Sequence, residues 1–348
     1  MDLKYLLFIG SALGFSLALG VCIIILAYSK TYPVIFRSKK ERQFFDPATG
    51  VYINFPAISD KCSLNLSVIV PAYNEEERLG PMLDECLDYL ESRRKSGAFS
   101  YEVIVVSDGS TDQTVSKALS YTKKHSCERV RVLALEKNRG KGGAVRLGML
   151  SARGSLLLFA DADGATKFAD LRKLEDSLKE LVVCKLLLSN CYNERLKRGK
   201  FAADYLSKPE ITADTLAITV GSRAHLEDEA VASRTVFRTI LMYGFHFLVW
   251  LFAVKGIRDT QCGFKLLTRK AAAICFESMH VERWAFDVEL LYIAQKLNIP
   301  ISEVAVNWTE IEGSKVTPVW SWLQMGLDLG LIWLRYTIGA WKIRSKGD

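Results

Sequence analysis

From Leu66 onward, short apolar runs alternate with stretches in which apolar residues recur at helical spacing. Ser67 to Pro71 is almost wholly apolar and predicts a buried strand, while Leu79, Leu83, Leu87 and Leu90 predict a helix from Glu76 to about Lys95. The same reading gives a strand over Tyr101–Ser107, then a helix to His125 with Thr111 and Asp112 as capping residues. A strand at Arg129–Leu135, a helix at Lys141–Ala152 and a strand at Ser155–Ala160 follow. Further on, Thr215–Val220 reads as a strand, Trp284–Leu297 as a helix, and the polar stretch 185–214 as an insertion. Strands alternating with helices imply a mostly parallel, doubly wound α/β sheet.

Three segments break this texture. Leu6 to Ser29 is 24 residues without a charge, long enough to cross a bilayer core of roughly 30 Å and about twice a signal-peptide core. It therefore reads as an uncleaved anchor. Asp2 and Lys4 precede it, whereas Lys30, Arg37, Lys39, Lys40 and Arg42 follow it, so the positive-inside rule places the body of the chain in the cytosol. Residues 239–254 form a second apolar run, short for a span, bounded by Arg238 and Lys255. Residues 319–341 carry Trp320, Trp322, Trp333, Tyr336 and Trp341 together with Asp328 and Arg335, the pattern of an amphipathic helix lying in a membrane interface.

Composition adds less. The chain has 348 residues and a net charge of +7, part of which is the basic cluster after the anchor; anionic headgroups suit that cluster, and no nucleic-acid module is recognisable. Eight scattered cysteines show no metal-ligand spacing and fit free thiols in a reducing compartment.

The candidate chemistry lies where ligands bind in such sheets, outside the C-terminal ends of the strands. Asp161-Ala162-Asp163 ends the fourth strand, and two hard carboxylate oxygens there suit Mg²⁺ or Mn²⁺ with positions left for diphosphate oxygens. Tyr73-Asn74-Glu75 and Asp108-Gly109-Ser110 end the first and second strands on the same edge. Asn138 to Ala144 is glycine-rich but is neither a P-loop nor G-x-G-x-x-G. It would let a ligand approach the backbone beside Lys141 at a helix N-terminus, although a tight turn alone explains the glycines equally.

In order along the chain, Val70 to Glu76, Asp108 to Asp112, Asn138 to Ala144 and Asp161 to Asp163 resemble the GT-A domain of family 2 inverting glycosyltransferases. Gly221-Ser222-Arg223, Asp259 to Lys265, Arg283 to Asp287 and Val306 to Lys315 narrow the likeness to the dolichyl-phosphate β-glucosyltransferases of the endoplasmic reticulum. The chain then divides into a transmembrane anchor at 1–30, a juxtamembrane linker or collar at 31–65 that is basic and then mixed with Pro47, Gly50 and Pro56, a GT-A domain at 66–318 in which 239–254 is either a core helix or a membrane-contacting one, and an interfacial helix at 319–348. The resemblance implies that UDP-glucose is the donor, dolichyl phosphate the acceptor, and membrane lipid a partner. Pro71, Ala72, Tyr73, Asn74 and Glu75 would line the base and ribose, Asp108 would bind the uracil edge, and Lys141 and Gly142 would lie by the donor. Asp161 and Asp163 would hold the sugar nucleotide and a Mg²⁺ or Mn²⁺ ion. Mannose-transferring relatives read D-A-D-L-Q; here the segment is D-A-D-G-A, with Ala165 where their glutamine assists the metal.

A phosphate monoester has a second pKa of about 6, so the acceptor is largely dianionic at neutral pH and attacks without a base. Arginines near it are then expected. Arg223, Arg234 and Arg238 are the candidates, with Lys265 a fourth. Asp287 stands where other family 2 enzymes carry a base. A mannose synthase using GDP-mannose and a non-catalytic membrane scaffold are the rival expectations.

Overall fold

The computed structural model describes residues 3–193, 211–212, 214–226, 244, 248–249, 254–311 and 318–344. Its centre is a seven-stranded sheet. The strands are β3 (Leu64–Ala72), β4 (Tyr101–Ser107), β5 (Val130–Ala134), β6 (Gly154–Ala160), β7 (Ile218–Ser222), β8 (Phe264–Thr268) and β9 (Ile301–Ala305). They lie in the order β5-β4-β3-β6-β8-β7-β9. Every strand is parallel except β8, which runs against both β6 and β7.

Helices cover both faces, which is why β3, β4 and β6 are near-continuous apolar runs rather than alternating ones. Leu79, Leu83, Leu87 and Leu90 of α2 (Leu79–Ser96) are all buried on one face, together with residues of α3 (Thr114–His125) and α5 (Leu171–Asn193). The opposite face receives α4 (Lys141–Met149), α6 (Arg269–Ser278) and α7 (Phe286–Lys296). The edge away from the site is fastened by buried Glu102, whose carboxylate accepts from Ser67 Oγ at 2.6 Å and from the Arg153 backbone and guanidinium at 2.7 and 3.0 Å.

The antiparallel course of β8 matters for function. Its N-terminal end lies at the edge where its neighbours end, so the turn 255–263 joins the loops after β6 and β7.

Outside the sheet, β1 (Gln43–Asp46) and β2 (Val51–Asn54) form an antiparallel hairpin. Residues 36–46 dock firmly. Glu41, 1% exposed, accepts from Arg139 Nη2 at 2.6 Å, and Arg37 donates to Ser151 Oγ at 2.9 Å. The segment expected to be the anchor is helix α1 (Leu3–Tyr28). Among the described residues, however, no helix is long and apolar enough to cross a membrane. The C-terminal segment forms α8 (Pro318–Thr337), with Leu327, Leu331 and Trp333 exposed and Trp341 buried beyond its end. Lys342 N donates to Thr31 O at 3.0 Å, bringing the segments after α1 and α8 together. Most of 185–214 and of the 239–254 run lies outside the described residues.

Candidate active site

The two acids after β6 are held by small residues. Ala162 between them is buried, Gly164 takes a positive φ of 71°, and Asp163 Oδ1 accepts from Ala165 N at 3.0 Å. Asp161 N donates to Gly263 O at 3.1 Å, and its carboxylate lies where a side chain at residue 263 would stand. Burial raises the Asp163 carboxyl above its ordinary range, and the neighbouring Asp161 charge adds to this.

Lys141, the first residue of α4, places Nζ 2.6 Å from Asp161 Oδ1. Burial alone would lower this ammonium, but the carboxylates of Asp161, Asp287 and Asp163 outweigh it and raise the pKa. The glycines around Lys141 allow close approach of another segment. Gly140 has φ 87°, any Cβ at Gly142 would strike Phe286, and Gly143 N donates to Glu282 O at 2.9 Å. The turn is thus both tight and pressed against the loop before α7.

The first two polar turns brace one another. Asn74, at φ 53°, accepts from Thr111 N through Oδ1 at 2.8 Å, and its own N donates to Ser110 Oγ at 3.1 Å. Glu75 holds Arg78 through two hydrogen bonds of 2.7 and 2.8 Å. Pro71 and Ala72 close β3, and Tyr73 is 40% exposed beside them. Asp108 is buried, and its two oxygens accept from Arg139 N at 2.7 Å and Gly140 N at 2.8 Å. Its carboxylate, expected at a uracil edge, anchors the glycine-rich turn in this structure. Burial raises its pKa against those hydrogen bonds.

Arg223 follows β7 and grips Asp259 with Nε at 2.7 Å and Nη2 at 2.9 Å, while its backbone N adds a third bond at 2.9 Å. Asp259 N in turn donates to Glu303 on β9 at 2.8 Å. The guanidinium stands 5.4 Å from the centre of the Trp308 ring. Arg223 and Trp308 line an open cavity with Asp161, Asp163, Gly263 and Met82.

Two expectations need correction. Lys265 does not face an acceptor: it is fully buried, with Nζ 2.5 Å from Asp287 Oδ1 and 2.6 Å from Cys262 O. Asp287 is likewise 2% exposed and committed to that ion pair, so it is not presented as a base to a ligand. Its side chain points inward because it occupies the first turn of α7, a helix buried along Phe286–Ala294. Arg234 and Arg238 lie outside the described residues.

Among the described residues, no group of three or more His, Cys, Asp or Glu side chains is arranged to hold a metal ion. The pair Asp161/Asp163 nevertheless fits a hard divalent cation, because Mg²⁺ is commonly bound by one or two carboxylates with water and substrate phosphates completing its shell. Ala165 supplies no side-chain oxygen; it is buried, and its carbonyl accepts from Thr309 N at 2.9 Å. Sequence reasoning missed Gly263 and Trp308, which line the cavity, and Asp259, which holds Arg223. All three stood inside segments singled out as D-T-Q-C-G-F-K and V-N-W-T, but their roles depend on strand order.

The model of glycosyl transferase family 2 matches residues 67–271. A Drosophila melanogaster protein named dolichyl-phosphate beta-glucosyltransferase is 60% identical over 329 residues, covering 94% of this chain and 92% of its own. A human protein of the same name is 52% identical over 338 residues, covering 97% of this chain and 95% of its own. Among solved structures, glucosyl-3-phosphoglycerate synthase from Mycobacterium tuberculosis with Mn²⁺, UDP-glucose and glycerol 3-phosphate aligns at TM-score 0.47 and 16% identity, covering 80% of this chain and 81% of that one. The chain belongs to glycosyl transferase family 2, and within it to the dolichyl-phosphate β-glucosyltransferases.

Proposed function

We propose that this enzyme transfers glucose from UDP-glucose to dolichyl phosphate with inversion, releasing UDP and leaving a β-glucosyl phosphoryl lipid. The observation that carries this reading is that Asp161, Asp163 and Arg223 line one and the same cavity. One side suits a cation-bound diphosphate, the other a phosphate monoester. The names of the relatives support the lipid and the sugar.

A cation at Asp161 and Asp163, Mg²⁺ or Mn²⁺ in this reading, would neutralise charge on the departing diphosphate. Charge favours one there. Asp161, Asp163 and Asp287 set three carboxylates against the ammonium groups of Lys141 and Lys265, and the donor brings a further negative diphosphate. Lys141 holds Asp161 in place and adds positive charge beside the leaving group. Arg223, pre-oriented by Asp259 and by the Trp308 ring, receives the acceptor phosphate. That phosphate needs no proton removed before it attacks the anomeric carbon, which agrees with the buried pairing of Asp287.

The reading places the enzyme on the cytosolic side of the endoplasmic reticulum membrane. The uncharged run Leu6–Ser29 would supply the attachment, and the exposed apolar residues Leu327, Leu331 and Trp333 of α8 a second contact with lipid. Purified protein in detergent, given UDP-glucose, Mg²⁺ or Mn²⁺ and a polyprenyl phosphate, is expected to form a lipid-linked glucose. Absence of that product, or an equal yield from GDP-mannose, would overturn the proposal.

A further inference from the structure

We infer that Lys265 and Asp287 act as a buried positioning pair that sets Lys141 and Asp161 for the sugar-nucleotide diphosphate, neither serving as acid, base or acceptor ligand. The inference rests on the donor reading above. Lys265 belongs to β8, the strand that begins just after Gly263, whose carbonyl accepts from Asp161 N at 3.1 Å, and Asp287 belongs to α7. Their contact at 2.5 Å, closed to solvent, shared with the Cys262 carbonyl at 2.6 Å and lying 5.1 Å from the centre of the Phe159 ring, ties the two elements that flank the donor carboxylate. Phe286, the neighbour of Asp287, is the residue against which Gly142 lies with no room for a Cβ. The first turn of α4 is therefore seated on the start of α7, with Lys141 Nζ 2.6 Å from Asp161 Oδ1 and in the field of the Asp287 carboxylate. The pair is closed to solvent, so it has no surface to offer a substrate. What it can do is fix where Lys141 stands.

An ion pair sealed in this way has a recognisable energetic signature. Removing one partner leaves an uncompensated buried charge, whereas removing both leaves none. Positional and chemical roles consequently separate by experiment.

The test measures kcat and KM for UDP-glucose and for polyprenyl phosphate in wild type, Lys265→Met, Asp287→Asn and the double variant, in detergent with Mg²⁺. Wild-type turnover first establishes the donor reading independently of the pair. Each single change is expected to raise KM for UDP-glucose about tenfold or more, with kcat within about threefold and KM for the lipid unchanged. The double variant is expected to lie nearer wild type than the product of the two single effects. Should a single variant fail to fold, the double variant decides, because it contains no unpaired buried charge. A donor KM raised in it supports the pair as a positioning device; a donor KM equal to wild type overturns it. A hundredfold fall in kcat at unchanged donor KM in Asp287→Asn would show a chemical role instead. A selective rise in lipid KM in Lys265→Met would return that residue to the acceptor.

Discussion

At the residue scale, the site is decided by what has no side chain as much as by what has one. Gly263 is the sharpest case, because a methyl group there would occupy the Asp161 carboxylate position. Gly263→Ala is expected to reduce turnover about as severely as loss of Asp161, in a protein whose circular dichroism is unchanged. Asp163→Asn is expected to lower kcat by roughly a hundredfold or more, since it removes a hard charged oxygen from the diphosphate side of the cavity. Retained activity at saturating Mg²⁺ would remove Asp163 from the metal site. Arg223→Lys keeps the charge but loses the two-pronged grip on Asp259; KM for the lipid phosphate is expected to rise about ten- to a hundredfold, as follows from losing about 1.5–3 kcal/mol of charge-assisted bonding, while KM for UDP-glucose stays put. Individual residues were legible to unequal degrees. Asp161 and Asp163 declared themselves by ending an apolar run. Lys265 was misread because its partner lies 22 positions away on a helix packed against the far side of its strand, a relation that no local spacing encodes.

At the element scale, β3, β4, β5 and β6 and their intervening helices were readable because each carries its period within its own residues, and the observed boundaries differ by a few positions. Helix α2 begins at Leu79 rather than Glu76, since Glu75 and Arg78 are engaged in the turn before it. Strand β8 was not readable: its five residues, Phe264 to Thr268, include a buried lysine whose charge is met by Asp287 and the Cys262 carbonyl. The loop joining α6 to α7 is similarly non-local. Its backbone donates from His280 and Val281 to buried Glu289, and Tyr336 of α8 donates to the same carboxylate at 2.8 Å. Tyr336→Phe is expected to cost about 1–3 kcal/mol, read as a fall of a few degrees in Tm. The turn at Asp259 gives a pH test. Burial pushes that carboxyl up, but the Arg223 hydrogen bonds and charge outweigh it, so its pKa lies below the ordinary 3.8. A depressed carboxyl contributes stability that is full above its unfolded value and fades as pH falls through its folded value. The Tm gap between wild type and Asp259→Asn is therefore expected to be widest near neutrality and to narrow below about pH 4. A gap that stayed constant down to pH 3 would show that the ion pair contributes nothing.

At the scale of the whole molecule, part of the stretch 31–65, read as a linker or collar, packs against the body of the chain through Phe36, Arg37 and Glu41. Arg139 spans to Phe36 O at 2.6 Å and to Glu41, and the same residue belongs to the glycine-rich turn that Asp108 holds. This joining of a segment near the start of the chain to the donor loop was invisible in sequence, since the partners are about a hundred positions apart and both are ordinary charged residues. It changes what the helix before it does. A flexible leash would let the catalytic body wander and tumble above a surface, meeting its lipid at a local concentration governed by tether length. A braced segment behaves as a bracket. Were the helix before it seated on a bilayer, as proposed above, such a bracket would hold the pocket at one height and one tilt, so that the mouth of the cavity met the surface in one aspect. Lengthening the chain between Ser29 and Val34 with glycine and serine would convert bracket back to leash. Turnover of long-chain lipid in vesicles should then fall, while turnover of a short, water-soluble polyprenyl phosphate, which arrives from any direction, should not.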